Sequence, residues 1–343
     1  MHQKPKAILY AFLAAVFYAI NIPISKILLQ YVGPTTMAAL LYLGAGIGIG
    51  ILSRINKNDY VNTEPLSKKD LPYVIGMIVL DIAAPIFLML GIRYGSSANA
   101  SLLGNFEIVA TTLIALFLFK EAVSSRLWMA IGFISLASIL LSFEGMDSFQ
   151  FSYGSLLVLA ATICWGFENN CTRNISSKNT YEIVILKGIF SGLGALVIAF
   201  LQREMIPDIQ YILLALLLGF VAYGLSIFLY IRAQNVLGAA KTSAYYAVAP
   251  FIGSFLSFLL LKEQLSWIYL IALGIMIIGS ILVVVDTLVT QHEHIHTHTF
   301  IHTHDGSTHA HTISHSHKHH HYIHDDEHTH THSISELMDI NHS

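Results

Sequence analysis

The feature that most constrains this chain is a series of ten apolar runs, each near the length of a membrane-spanning helix. About 20 mostly apolar residues are needed to cross a hydrocarbon core of about 30 Å. The predicted spans are 7–29, 34–53, 71–92, 98–119, 124–143, 153–173, 181–201, 209–231, 239–261 and 265–286. Lipid cannot satisfy the backbone groups of an open strand, so the spans should be helices. The predicted fold class is an all-α membrane protein with ten transmembrane helices.

The composition agrees with a lipid environment and excludes other classes of protein. Hydrophobic residues make up 55% of the chain and charged residues 11%, whereas soluble domains carry about 25% charged residues. No basic patch interleaved with aromatic residues is present, which argues against nucleic-acid binding. The chain also lacks His-Glu-x-x-His, Gly-x-Ser-x-Gly and a phosphate-binding glycine loop, so an enzyme is not expected.

The positions of basic residues predict the orientation of the chain. Cytoplasmic loops of membrane proteins carry an excess of Lys and Arg. If the N-terminus is cytoplasmic, the inner ends of the spans hold Lys4, Lys6, Arg54, Lys57, Lys68, Lys69, Lys120, Arg126, Arg173, Lys178 and Arg232. The outer ends hold Lys26, Arg93, Arg203 and Lys262. We therefore expect a multi-pass protein of the plasma membrane with both termini in the cytoplasm.

The chain also contains an internal repeat, in which residues 7–143 correspond to residues 153–286. The corresponding motifs are Phe119-Lys120-Glu121 with Leu261-Lys262-Glu263, Ile92-Arg93 with Ile231-Arg232, and Tyr18-Ala19 with Trp165-Gly166. Each half has five predicted spans, and an odd number inverts the second half relative to the first. Inverted repeats are typical of secondary transporters, whose substrate site lies near the bilayer midplane between the halves.

These motifs resemble the EamA family of the drug/metabolite transporter superfamily. The matching residues are Trp165-Gly166, Lys120-Glu121, Lys262-Glu263 and Pro250. The first repeat departs from the family pattern at Tyr18-Ala19 and at Ile108. The resemblance implies two five-helix repeats and the export or import of small metabolites, often amino acids or related compounds, driven by an ion gradient or by exchange.

Polar and aromatic residues within the spans are the candidates for a substrate or ion pathway. A charge at the bilayer centre costs roughly 2.5–3.5 kcal/mol on insertion scales, so a charged residue there calls for a function or a partner. The predicted pathway residues are Asp81, Glu107, Glu168, Lys241, Asn21, Asn99, Trp165, Tyr223 and Tyr245. No catalytic residue is predicted.

The roles of the charged candidates stay open at the level of sequence. Asp81 either carries a proton or cation, or hydrogen-bonds to a neighbouring helix. Glu107 and Glu168 are interpreted as cavity carboxylates suited to binding an amine or passing a proton. Lys241 binds an anionic substrate, pairs with a carboxylate, or extends to the membrane surface. Lys187 is a fifth candidate, and because it lies six residues into its span, extension of its side chain to the inner surface is the alternative.

Residues 287–343 form a separate segment that holds 18 of the 19 histidines of the chain. Its composition predicts a disordered tail. Neutral imidazole binds Zn, Ni, Co and Cu, and a pH-dependent charge switch is an alternative role. The predicted ligands are His292, His294, His296, His298, His302, His304, His319, His320, His321, His324 and His328. No cofactor is expected to be required elsewhere in the chain.

The leading functional prediction is a secondary active transporter that exports small metabolites by alternating access, with proton coupling. The alternative is a divalent Ni, Co or Zn transporter that uses the tail to bind metal. No histidine lies within residues 7–286, which argues against a metal pathway through the spans. The expected partners are the lipid bilayer, a small-molecule substrate, a coupling proton and a second copy of the chain in a homodimer.

Overall fold

The structure is a computed structural model, and it describes residues 3–55, 64–119, 123–143, 152–175, 178–237, 242, 245–304 and 307–322. Lys120, Glu121, Lys241, His324 and His328 lie outside the described residues. The chain divides into two compact units, Met1–Val284 and Val285–Ser343. We describe each unit by itself.

The first unit is built from helices. They are α1 (Gln3–Ala19), α2 (Asn21–Leu28), α3 (Pro34–Ile55), α4 (Leu71–Tyr94), α5 (Ser97–Leu103), α6 (Phe106–Phe119), α7 (Ser125–Ser142), α8 (Tyr153–Ile175), α9 (Thr180–Leu201), α10 (Ile209–Gly219), α11 (Ser226–Leu237), α12 (Ala249–Leu261) and α13 (Trp267–Leu288). A short 3-10 helix, Lys68–Asp70, precedes α4, and a π-helix, Phe220–Leu225, joins α10 to α11.

The second unit contains an antiparallel hairpin of β1 (Val289–His304) and β2 (Ser307–Tyr322). Histidine alternates with Thr, Ser and Ile at every second residue, and that period is typical of strands. The disorder predicted above for residues 287–343 stays a prediction. The predicted tail boundary at residue 287 lies two residues before β1 begins.

Among the described residues, eight helical segments are long and apolar enough to cross a membrane. They are Pro5–Leu28, Pro34–Ile55, Lys68–Tyr94, Ser97–Leu118, Ser125–Ser142, Thr180–Leu201, Ile209–Tyr230 and Trp267–Asp286. The other two predicted spans fall on α8 and α12. Helix α8 has 23 residues but is more polar, and α12 has 13 residues.

Two of the predicted spans, 7–29 and 98–119, are each interrupted once along their length. The first breaks at Ile20, three residues before Pro23, whose missing N–H removes the hydrogen bond that the Ala19 carbonyl would accept. The second breaks at Gly104 and Asn105. There the Asn105 side chain donates to the Leu102 carbonyl at 3.2 Å, which competes with the regular helical bonds.

The helices pack closely where glycine removes a side chain. A Cβ added to Gly188 on α9 would lie 2.5 Å from the Cα of Gly46 on α3. A Cβ on Gly154 of α8 would lie 2.6 Å from the Cα of Gly95, at the end of α4. Association of helices in lipid depends on such small residues, because apolar surface alone gives no preference for a neighbouring helix over lipid.

Two helix N-termini are capped by glutamates from distant loops. Glu204 accepts hydrogen bonds from the backbone N–H groups of Thr35 (3.0 Å) and Thr36 (2.8 Å) at the start of α3. Glu263 accepts from the N–H groups of Ser97 and Ala98, both at 2.9 Å, at the start of α5. The Lys-Glu motif at Glu263 is therefore a cap that joins the two halves of the chain, and a carboxylate at this position complements the helix dipole.

Candidate functional site

The interior of the helical unit holds a buried ion cluster of Asp81, Glu168 and Lys187. The Lys187 Nζ lies 3.1 Å from Asp81 Oδ2 and 2.9 Å from Glu168 Oε1. The side chains of Asp81, Glu168 and Lys187 are 0%, 2% and 17% exposed. Asp81 comes from α4, whereas Glu168 and Lys187 come from α8 and α9, so the cluster joins the two halves of the chain.

Hydroxyl groups complete the polar surroundings of both carboxylates. The Tyr42 hydroxyl, from α3, donates to Asp81 Oδ1 at 2.8 Å, and the Trp165 indole N–H donates to the Tyr42 oxygen at 3.4 Å. The Thr172 hydroxyl donates to Glu168 Oε1. Each carboxylate is therefore held by the shared lysine and by one hydroxyl, as buried ionised groups require.

The charges of the ion cluster do not balance when all three groups are ionised. Two carboxylates share one lysine, which leaves an excess of one negative charge. An uncompensated buried charge is costly, so the cluster favours one added positive charge. A proton on either carboxylate or a cationic group of a substrate would supply it.

A group of tyrosines connects the ion cluster to the first helices. The Tyr223 and Tyr42 rings lie 5.4 Å apart between centroids, and Asn21 donates to the Tyr223 hydroxyl oxygen at 3.2 Å. Tyr18 lies 6.0 Å from Tyr223 and 5.9 Å from Tyr246, again between ring centroids. These rings extend a polar and aromatic path from the ion cluster toward α1 and α2.

Glu107 belongs to a second group of polar residues, apart from the ion cluster. Its Oε1 accepts a hydrogen bond from the Asn169 side chain at 2.7 Å, and the same amide donates to the Thr111 hydroxyl at 3.2 Å. Glu107 lies in the first turn of α6, where the helix dipole favours a negative charge. Asn169 follows Glu168 directly in α8, so the two polar groups share one helix.

The irregular parts of the helices lie beside these polar residues. The break at Ile20 precedes Asn21, the break at residues 104–105 precedes Glu107, and Tyr223 lies within the π-helix. Irregular backbone at membrane depth is tolerated where protein or a water-filled cavity surrounds it. In transporters, such interruptions mark the binding site.

Three predicted pathway residues do not join these polar groups in the described structure. They are Asn99, Tyr245 and Lys241. The Asn99 side chain donates to the Leu141 carbonyl at 3.4 Å. Tyr245 is 39% exposed, while its neighbour Tyr246 joins the tyrosine group described above. Lys241 lies outside the described residues, and so do the side chains of the tail histidines. Among described side chains, no group of three or more His, Cys, Asp or Glu residues is placed to hold a metal ion.

Sequence reasoning gave too little weight to one residue of the ion cluster and missed others. Lys187 does not extend to the membrane surface but lies between two buried carboxylates. A lysine seven residues after α9 begins, together with two carboxylates that lack a partner, was the available signal. Tyr42, Thr172 and Asn169 gave no such signal, because hydroxyl and amide side chains are common in membrane helices.

An apolar helical bundle with charged and aromatic residues gathered in its interior is typical of multi-pass membrane transporters. Residues 5–143 and 152–285 both match the EamA-like transporter family. The chain belongs to this family, as its motifs indicated, and the two matched segments correspond to the two predicted repeats.

The comparisons with known proteins give the same class. An uncharacterized transporter of Methanothermobacter thermautotrophicus is 24% identical over 277 residues, which cover 74% of this chain and 78% of that protein. The uncharacterized transporter YyaM of Bacillus subtilis is 21% identical over 260 residues, covering 71% of this chain and 82% of that protein. A protein of known crystal structure shares the fold, with a TM-score of 0.59 at 16% identity, and the match covers 82% of this chain and 96% of the other.

Proposed function

We propose that this protein is a secondary active transporter that exports small metabolites, such as amino acids or related compounds, by alternating access and with proton coupling. The observation that carries the proposal is the buried cluster of Asp81, Glu168 and Lys187. Both halves of the chain contribute to it, so movement of one half against the other changes its surroundings. Such a change of surroundings is what coupling of an ion to alternating access requires.

The proposed architecture has ten spans in two inverted five-helix repeats. If a two-fold axis relates the two halves, each contact between helices has a counterpart between the corresponding helices of the other half. The contacts of α3 with α9 and of α5 with α12 are their own counterparts. The contact of α4 with α8 corresponds to that of α11 with α1. All four contacts are present. This agreement supports a two-fold relation in which α8 and α12 would be the sixth and ninth spans. The distribution of basic residues supports cytoplasmic termini, and the membrane that we propose is the plasma membrane.

The proposed coupling uses the missing positive charge of the ion cluster. In one state a proton neutralises one of the two carboxylates, and Lys187 pairs with the other. In the second state an amino or other cationic group of the substrate replaces that proton. Because the two states compete for the same carboxylates, proton and substrate move in opposite directions, which exports the substrate when the outside is acidic.

Transport of a divalent metal is a second candidate function, favoured by the 18 histidines in the sequence of residues 287–343. Carboxylates and neutral imidazole are both ligands of first-row transition metals. The described interior of the bundle supplies carboxylates and hydroxyl groups but no group of metal ligands.

Purified protein reconstituted into liposomes tests the proposal. Uptake of each of the twenty amino acids is measured by counterflow, and the most strongly transported one is then followed with and without an imposed pH gradient. We expect the substrate to accumulate faster when the interior of the liposomes is more acidic than the outside, because protons then leave as the substrate enters. Uptake that is the same with and without the pH gradient would refute proton coupling. Transport of Zn²⁺ or Ni²⁺ without transport of any organic solute would favour the second candidate function.

Glu168→Gln and a matched control separate the ion cluster from general damage. Glu168→Gln keeps the shape of the side chain but removes a charge, so we expect gradient-driven uptake to fall by at least tenfold. Glu64→Gln makes the same change at a side chain that is 69% exposed, and it should leave uptake unchanged. Equal losses in both variants would contradict the role of the cluster.

A further inference from the structure

The short helix α5 (Ser97–Leu103) has no part in the ion cluster described above. We propose that α5 is the gate at one end of the transport path, that Glu263 holds this gate closed, and that its opening exposes Ser97 and Ser101 to the path. The distribution of basic residues predicts this end of the bundle to be extracellular. The inference rests on the proposed function, because a gate has a role only in a protein whose path opens alternately at its two ends.

A single carboxylate from the other half of the chain fixes the start of α5. Glu263 Oε2 accepts hydrogen bonds from the Ser96 hydroxyl at 2.7 Å and from the Ala98 N–H at 2.9 Å. Its Oε1 accepts from the Ser97 N–H at 2.9 Å. Hydrogen bonds to an ionised group are stronger than those between neutral groups, so these three bonds favour the closed position of α5.

A hinge lies at the other end of α5. The N–H groups of Asn105 and Ile108 donate to the carbonyls of Leu102 and Asn105, both at 3.1 Å. These acceptors lie three residues earlier in the chain, and such a 3-10 stretch within a helix is typical of a hinge. Beyond it, α6 is held separately, because Glu107 accepts a hydrogen bond from Asn169 of α8. Helix α5 can therefore tilt at the break while α6 stays in contact with α8.

Two serines of α5 are buried, and their hydroxyl groups lack a hydrogen-bond partner among the described residues. Ser97 is 0% exposed and Ser101 is 2% exposed, and neither Oγ is paired. The two residues are four apart, so they share one face of the helix. A buried hydroxyl without a partner is costly. The closed position is therefore favoured by Glu263 and opposed by these two serines, which is the balance that a gate with two positions requires.

Helix α5 closes against small residues of α12 and against the break in the first span. A Cβ added to Gly253 on α12 would lie 3.1 Å from Ser101 Oγ. The same Cβ would lie 3.1 Å from the carbonyl oxygen of Ala19, where α1 ends. Displacement of α5 would open a route past this break toward Asn21, which donates a hydrogen bond to Tyr223.

The test measures how fast a maleimide labels Ser101→Cys in the purified full-length protein in detergent. Cys164→Ala and Cys171→Ala remove the two native cysteines. Labelling of this reference protein should be slow, because Ser101 is buried in the closed position. Glu263→Ala removes the three hydrogen bonds that hold α5, so we expect labelling to become at least tenfold faster. A rate that Glu263→Ala leaves unchanged, or fast labelling of the reference protein, would overturn the proposal.

Glu204→Ala is the matched control, because it removes the same kind of helix cap. Arg203 and Lys262, the residues that precede the two glutamates, share a left-handed backbone with φ of 56° and 51°. Glu204 caps α3 instead, and α3 packs against α9 through closely spaced glycines. We expect the control to change the labelling of Ser101→Cys by less than threefold. An equal increase in both variants would show a general loosening of the bundle and would refute the gate.

A disulfide tests the gate during transport. Ser101→Cys with Gly253→Cys would place two Cβ atoms 3.5 Å apart, within the range that disulfide bonds adopt. In the background without native cysteines, we expect oxidation by diamide to lower uptake into liposomes by at least tenfold and a reductant to restore it. Equal uptake by the crosslinked and the reduced protein would contradict the gate. Labelling needs no substrate, so a protein that labels as expected but transports no solute would count against the proposed function and not against the gate.

Discussion

Replacing Lys187 with methionine removes the only basic side chain in contact with two buried carboxylates among the described residues. Methionine has a similar length and is apolar, so the change removes the charge with little change in volume. Asp81 and Glu168 are 0% and 2% exposed, which leaves water no access to replace the lysine. Breaking a buried ion pair costs about 3–5 kcal/mol, and we expect Lys187→Met to lose stability in this range.

The loss is measured as the melting temperature of the purified protein in detergent. A destabilisation of this size should lower it by roughly 5–15 °C. Lys178→Met is the matched control, because Lys178 pairs with Glu64, whose side chain is 69% exposed, and exposed pairs contribute little to stability. The control should melt close to wild type.

A compensating variant tests whether uncompensated charge is the cause. Asp81→Asn and Glu168→Gln, added to Lys187→Met, remove all three charges and keep the side-chain shapes similar. Neutral replacement of a buried ion pair is often close to neutral in stability, so this triple variant should recover most of the lost melting temperature without recovering transport. If Lys187→Met melts like wild type, or if the triple variant melts lower still, the reasoning about the cluster is refuted.

Three further predictions concern other parts of the chain. Glu263→Gln weakens the cap on α5 and should cost about 1 kcal/mol, seen as a melting temperature a few degrees lower, whereas an unchanged value would contradict the cap. Gly188→Val should destabilise by at least about 1–3 kcal/mol, because its Cβ would lie 2.5 Å from Gly46; Gly50→Val, where a Cβ meets nothing within 4 Å, is the control in the same melting assay. Lowering the pH from about 7.5 to about 5.5 should release metal from the tail in equilibrium dialysis, because protons compete for imidazole near its ordinary pKa of about 6.5.

Some features of the site could be predicted from particular residues of the sequence. Asp81 and Glu168 stood out because charges in apolar runs are rare and need partners, and both lie in the ion cluster. Asn21, Trp165 and Tyr223 also take part in the buried hydrogen-bond and aromatic contacts. Their polar or aromatic character within the spans was the signal that identified them.

Other features could not be predicted, because they depend on which faces of the helices meet. Glu204 and Glu263 were not recognised as helix caps, because each one accepts hydrogen bonds from the start of a helix more than 150 residues away in the sequence. The role of Lys187 stayed open, because its position in the span gave no indication of its neighbours. The break at Ile20 follows from Pro23, but the sequence did not show which residues would face the interruption.

The sequence by itself determined that the spans lie in lipid, that they are helical, that the chain has two related halves, and which family it belongs to. These follow from length, apolar content and repeated motifs, which are properties of the chain read in order. Only the tertiary structure decided that Lys187 of one half lies between Asp81 of the other half and Glu168. The physical reason is that the lipid-facing and helix-facing sides of a membrane helix are both apolar. The pattern of apolar residues therefore does not mark the face that meets a partner, and packing of small residues such as Gly46 and Gly188 selects it.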